Sequence, residues 1–276
     1  MDCVKELEGH TATIHALAYG DGILYSGDWN GFIRMWKDNK YIGTIEDEDQ
    51  DDLFCLIYVD GILFSGNFMC IKAWKDGKLI SKMEGHDGSV TCLAYNNGLL
   101  YSGCDDTIII VWKDFTDKMV LRGHDGAVSC LVFNENILYS GSDDNTIRLW
   151  KDHTCIATLT DHVEMVTCLL YNDGLLYSGC YDGTIKVWED KKCIATLTEH
   201  EKQITTLYYF NDELYSCSTD NTIKVWKNME YMSDLAVLKK CEHCLLRVGD
   251  TLYSGGDDQN IKVWKEVGLF TKAALK

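Results

Sequence analysis

The sequence predicts an all-β fold: a seven-bladed β-propeller with four antiparallel strands per blade, its ring closed by the N-terminal strand. Three observations point there. Trp36, Trp74, Trp112, Trp150, Trp188, Trp226 and Trp264 recur at a spacing of 38 residues, and a fixed period of roughly 20–50 residues marks a repeat architecture. Turn signals punctuate each period too closely for helices of ordinary length. Finally, "CVKELEGH" at 3–10 matches "CIATLTEH" at 193–200, five periods later.

Residues 163–200 show how one period is built. "MVTCLLY" is a short apolar run and "NDG" a turn. "LLYSGC" is a second run, followed by the turn "YDG". "TIKVW" alternates polar with apolar, "EDKK" turns, and "CIATL" is the last strand. Four short strands joined by Gly, Asn and Asp turns form one antiparallel unit. Seven units fill nearly all of the 276 residues. Residues 1–267 therefore read as a single propeller, with 268–276 as a C-terminal tail. The chain opens with the last strand of a unit, and its final tryptophan unit stops at a third strand. Residues 3–8 are thus expected to complete the last blade, and such closure removes the bare edges that invite aggregation.

Composition narrows the function. The chain has 43 acidic and 26 basic residues, a net charge of −17, and only four arginines. Such a chain repels nucleic acid and anionic membrane and attracts basic partners. No apolar stretch nears the about 18 residues that a membrane helix requires, and the N-terminus has no apolar signal core. A cytoplasmic protein, monomeric on its own, is the expectation. The 13 cysteines fall largely in phase with the repeat: Cys92, Cys130, Cys168 and Cys244 share one position, and Cys155 and Cys193 another. They read as small buried strand residues and free thiols. "CEHC" at 241–244 has no second pair to make a metal site, and no phosphate loop is present. No cofactor is expected. Proline is absent, and nothing in the sequence explains why.

"GH" followed by "YSGSDDNTIRLW" at this period resembles the WD40 repeat family of seven-bladed propellers. The resemblance spans essentially the whole chain, with lysine mostly standing where the family has a terminal aspartate. The texture is similar to propeller modules attached to atypical α-kinases, or to ubiquitin-ligase and signalling scaffolds. The resemblance implies a hydrogen-bonded brace in each blade, made of histidine, serine, aspartate and tryptophan. In the third repeat these are His86, Ser102, Asp106 and Trp112. The fourth has His124, Ser140, Asp144 and Trp150. The fifth has His162, Ser178, Asp182 and Trp188, and the sixth His200, Ser216, Asp220 and Trp226. Serine, histidine and aspartate can also make a hydrolase, but catalysis needs one nucleophile beside one base, not the same set four times. Three repeats depart from the pattern. Repeat one has Asn30 in place of the aspartate. Repeat two has Glu48 or Asp49 near the histidine place, Phe68 at the turn, and a turn one residue short. Repeat seven has Leu238 in place of histidine.

The resemblance further implies that partners meet the face carrying the loops between blades. Its contact positions fall here on His15, Trp29, Asp52, Phe54, Asn67, Phe68, Asp105, Asp143, Tyr181, His243 and Asp257. Trp29, Phe54, Phe68 and Tyr181 place rings where the fold does not require them, and exposed rings are common anchors. Acidic residues surround them, including "EDEDQDD" at 46–52, and no arginine falls on the face. Rings beside carboxylates suit lysine or arginine. The expected function is a non-enzymatic platform for a basic protein or peptide. The alternatives are a scaffold subunit of a larger signalling or ubiquitin-ligase assembly, and a small-molecule binder or enzyme using the central channel.

Overall fold

The computed structural model describes residues 2–47 and 49–265, and every helix-or-strand element among them is a β-strand. The strands gather into six sheets. Five sheets hold four strands each. Repeat four is typical, with strands Val128–Asn134, Ile137–Ser142, Ile147–Lys151 and Thr154–Leu159 paired in chain order. The sixth sheet takes in repeats two and three and holds six strands. These are Leu53–Val59, Ile62–Lys75, Lys78–Asn96, Leu99–Cys104, Ile109–Lys113 and Asp117–Leu121. The propeller therefore has six blades, not the seven expected, and one blade is wider than four strands.

Two long strands cause the difference. Ile62–Lys75 runs straight through the place where repeat two should turn. Lys78–Asn96 joins the last strand of repeat two to the first of repeat three. The short turn of repeat two is the reason. With one residue fewer, the backbone stays in the ladder at Phe68, which pairs with Ser89 of the next repeat. Its neighbour in the ladder, Cys70, pairs with Glu84. Residues 85–88 form the bulge that absorbs the mismatch.

The ends of the ring meet in the last sheet. Asp2–Leu7 pairs antiparallel with Ile261–Lys265, Asp2 opposite Lys265 and Leu7 opposite Ile261. The N-terminal strand is thus the outermost strand of the sheet containing Trp264. The tail from 268 onward and Glu48 lie outside the described residues. All 13 cysteines are free thiols.

Each repeat tryptophan sits in the seam between its own sheet strands and the preceding repeat. Trp74 packs with Ala16, Tyr25 and Ile33 of repeat one, and with Leu53 and Leu63 of its own. Trp150 does the same with Tyr101 and Ile109, and with Val128 and Leu138. At the closure, Trp36 packs against Leu7, Ile261 and Val263. Truncating such a ring to alanine costs about 3–5 kcal/mol. The 38-residue ruler is therefore a seam-filling requirement.

Candidate interaction face

The braces position the turns of the face. In repeats three, four and six they are complete. His86 bonds Asp106 at 2.9 Å and Ser102 at 2.7 Å, and Trp112 donates to Ser102 at 2.8 Å. His124, Asp144, Ser140 and Trp150 repeat this with distances of 2.7–2.8 Å, as do His200, Asp220, Ser216 and Trp226. Asp144 and Asp220 also accept from the loop amides of Asp125 and Glu201. One carboxylate thereby ties the loop leading into a repeat to the turn within it. Each of these serines is fully buried and takes the indole N–H, so as arranged none can meet a substrate. Burial holds the brace histidines below their ordinary pKa, although the paired aspartates pull the other way.

Repeat five corrects the expectation of a fourth complete brace. His162 bonds Ser178 at 2.6 Å and Trp188 donates to Ser178 at 2.7 Å. Asp182, however, does not reach the ring. It accepts from the backbone N–H and hydroxyl of Thr184 instead. His162 Nδ1 is left buried without a hydrogen-bond partner, and burial, with Lys186 nearby, lowers its pKa to about 4.

The departures are also rebuilt. Repeat one has a complete brace after all: His10 bonds Ser26 at 2.6 Å and Asp28 at 2.7 Å. Asp28 lies two residues before Asn30, which is exposed. Repeat two uses Asn67, also two residues after its serine. Ser65 donates to Asn67 at 2.7 Å, and the Asn67 amide donates to the carbonyls of Asp51 and Asp52. Asn67 is 2% exposed, so it belongs to the brace and is not on the face as expected. The signal was present in the sequence. Repeats three to six carry Cys104, Ser142, Cys180 and Ser218 at this place, and the two repeats without a turn aspartate carry Asp28 and Asn67.

Where the histidine is missing, a lysine turns toward the loops. Lys72 is fully buried and bonds Asp47 at 2.5 Å and Asp51 at 2.8 Å, with Asp49 at 3.1 Å. Asp49 also pairs with Lys82 at 2.9 Å. Asp47, Asp49 and Asp51, three of the six acidic residues in the run, therefore share two ammonium groups, which offset two of their three charges. The carboxylates raise the pKa of Lys72 against the opposing effect of burial. In repeat seven, Lys262 bonds Glu242 at 2.5 Å and also Asp258. Glu242 occupies a place that is Ile14, Leu53, Val90, Val128, Val166 and Ile204 elsewhere, all buried. Burial raises its pKa, opposed by Lys262.

Around the channel mouth, four repeats share one device. Thr91 donates to the Val128 carbonyl and Ser129 to that of Val166. Thr167 donates to Ile204 at 2.5 Å, and Thr205 to Glu242 at 2.7 Å. Each hydroxyl thus ties its repeat to the next. In repeats seven, one and two the same place holds His243, His15 and Phe54. These make a continuous strip with Trp29. His243 stacks on His15 at 5.3 Å, His15 meets Trp29 at 5.0 Å, and Trp29 meets Phe54 edge-on at 5.5 Å. The strip borders a cavity of about 370 Å³ at the channel mouth. Asp257 fixes one end, bonding His243 at 2.8 Å and accepting from Thr13 at 3.3 Å. Burial, then the neighbouring His243, lowers the pKa of His15 to about 4, so at neutral pH it is an uncharged ring. Trp29 is 43% exposed. Phe68 and Tyr181 are exposed as well, but neither has a ring contact with the strip. Asp105 and Asp143 are exposed and Asp52 is half-buried.

The profile of the family described as "WD domain, G-beta repeat" matches residues 1–37, 77–113, 115–151, 153–189, 191–227 and 243–265. No curated protein matches the sequence. Among solved structures, the WD40 β-propeller domain of Doa1 superposes with a TM-score of 0.86 at 22% identity, over 96% of each chain. The computationally designed protein Ika8 superposes with a TM-score of 0.74 at 27% identity, over 94% of this chain and 98% of that one.

Proposed function

Since this chain belongs to the WD40 family, whose propellers in general serve as protein-interaction platforms, we infer that it holds a basic peptide or protein segment on its loop face, over repeats seven, one and two. The observation that carries this reading is the interrupted hydroxyl belt. Four repeats use the position to tie the ring together, and three consecutive repeats give it to rings that join Trp29 in one strip. A ring that bonds nothing across the seam and stands partly exposed is available to a partner. Charge supports the basic character of that partner. Asp47, Asp49 and Asp51 share two lysines, Lys72 and Lys82, so that loop keeps a negative balance, and Asp52, Asp105 and Asp143 add to it. The chain acts as a non-catalytic platform.

The test is a peptide array of basic, acidic and phosphorylated segments, followed by kinetics on the best binder. Trp29→Ala is expected to leave the on-rate alone and speed release, a loss of about 2 kcal/mol for a true anchor. Neutralising Asp105 and Asp143 is expected to flatten the salt dependence of the on-rate. Selection of acidic peptides over basic ones sinks the charge argument. Survival of binding through both changes places the site elsewhere.

A further inference from the structure

On the opposite end of the ring, where each repeat makes its first and last turns, clefts open between neighbouring repeats. Four of them share one construction. An aromatic ring of one repeat (tyrosine in three clefts, Phe64 in the fourth), an aromatic ring of the next, and that next repeat's tryptophan form the walls, with turn residues at the rim. Three are small, about 120, 140 and 180 Å³. The cleft between repeats one and two measures about 320 Å³. Ligand pockets start near ~300 Å³, so only this one of the four reaches the size of a ligand group.

One residue makes the difference. Three positions after the tryptophan, the small clefts are lined by Phe115, His153 and Met229. The large one has Gly77. All four residues sit in a left-handed turn, with φ of 66°, 65°, 65° and 73°. A bulky side chain in that conformation is uncommon and unfavourable. Phe115 offsets the strain by packing on Phe64, ring centroids 6.0 Å apart. In those three repeats the side chain is a plug. At Gly77 the plug is missing, and a β-carbon there would meet nothing within 4 Å.

The open cleft has a definite chemistry. Its inner wall is Tyr25 stacked on Tyr58 at 5.5 Å and 15°, above Ile45, Leu63 and Trp74. Its rim carries Asp21 and Asp76, both exposed. Asp21 accepts from the Tyr58 hydroxyl at 2.5 Å through one of its two carboxylate oxygens. Lys75 is the basic side chain on the rim, and it makes no ion pair with either carboxylate among the described residues. Tyr25 feels both acids: burial first, then Asp21 and Asp76, raise its pKa. A planar cation that stacks on tyrosine and donates to two carboxylates matches these walls better than a compact ammonium.

We propose that the cleft between repeats one and two is a socket for the guanidinium of an arginine presented by a partner segment. It is separate from the ring strip on the loop face. The aromatic wall takes the flat face of the cation, and Asp21 and Asp76 take its N–H donors.

The test uses the full chain, isotope-labelled, titrated with a short serine–glycine peptide carrying one arginine. Saturable shifts are expected at the Gly61 and Gly77 amides, both in the lining. The citrulline version of the peptide, isosteric but neutral, is expected to bind about tenfold more weakly or worse. Gly77→Phe copies the plug of the next repeat and is expected to abolish the response, with the fold kept. Phe115→Gly removes the neighbouring plug beside Asp60 and Asp114 and is expected to create a second response at Gly98. Trp29→Ala is expected to change nothing here, which separates this site from the loop face. The proposal is overturned if the arginine peptide gives no saturable shift, if citrulline binds equally well, or if Gly77→Phe binds as the wild type does.

Discussion

Asp28 carries the clearest consequence at the level of a single residue. His10 is buried, and its Nδ1 depends on the Asp28 carboxylate. Removing one partner of a buried hydrogen bond leaves the other desolvated and unsatisfied. Asp28→Ala is therefore expected to lower the unfolding free energy by about 2 kcal/mol. Asn30→Ala, at an exposed turn, should stay within about 0.5 kcal/mol. Chemical denaturation of both variants checks this, and a larger loss for Asn30→Ala would reverse the assignment. The sequence pointed to Asn30 because alignment by position assumes that the same place always supplies the same group. The ring needs only a carboxylate within reach, and a strand residue two places earlier supplies it. His162 shows the converse: Asp182 is in the right place in the sequence and does not reach the ring.

Among the elements, the loop at 46–52 changes meaning most between sequence and structure. As a string, "EDEDQDD" reads as solvated charge or as bait for a cationic partner. In the fold, Asp47 and Asp51 close over a buried lysine. Lys72 could not be told from Lys186 or Lys224 by its sequence place, two before the tryptophan. Which way it turns depends on whether a histidine already occupies the loop side, and that is a packing fact. Lys72→Met would strand Asp47, which is 8% exposed, without its counter-charge. Breaking a buried pair from one side costs about 3–5 kcal/mol, and urea unfolding should show a loss of that order. A loss no larger than that of an ordinary surface change would mean that the loop rearranges to water. The ring residues of the face were legible, since Trp29 and Phe54 stand out at their positions. Their grouping with His15 and His243 was not, because it arises from three different repeats meeting at the channel.

For the whole molecule, the period and the closing strand could be read directly, since both are matches between distant pieces of the same text. The blade count could not. It turns on whether Phe68 pairs with Ser89, a non-local event that one missing turn residue permits. The closing strand is the more consequential of the two. Without residues 1–9, Ile261 and Val263 lose the strand beside them and the core loses Leu7. Burial of one leucine alone is worth about 1.5–3 kcal/mol, and an unpaired sheet edge adds a liability of its own. The truncated chain is expected to unfold at a distinctly lower denaturant concentration and to aggregate on storage. An unchanged midpoint would show that the ring does not depend on this strand. The hydroxyl belt has a further consequence, for synthesis. Its bonds all run one way, from Thr91 to Val128, Ser129 to Val166, Thr167 to Ile204 and Thr205 to Glu242, and each spans 37 residues. A chain leaving the ribosome N-terminus first makes every donor before its acceptor exists. While repeats three to six emerge, the half-made ring therefore ends in one open hydroxyl, a growth front that the next repeat closes.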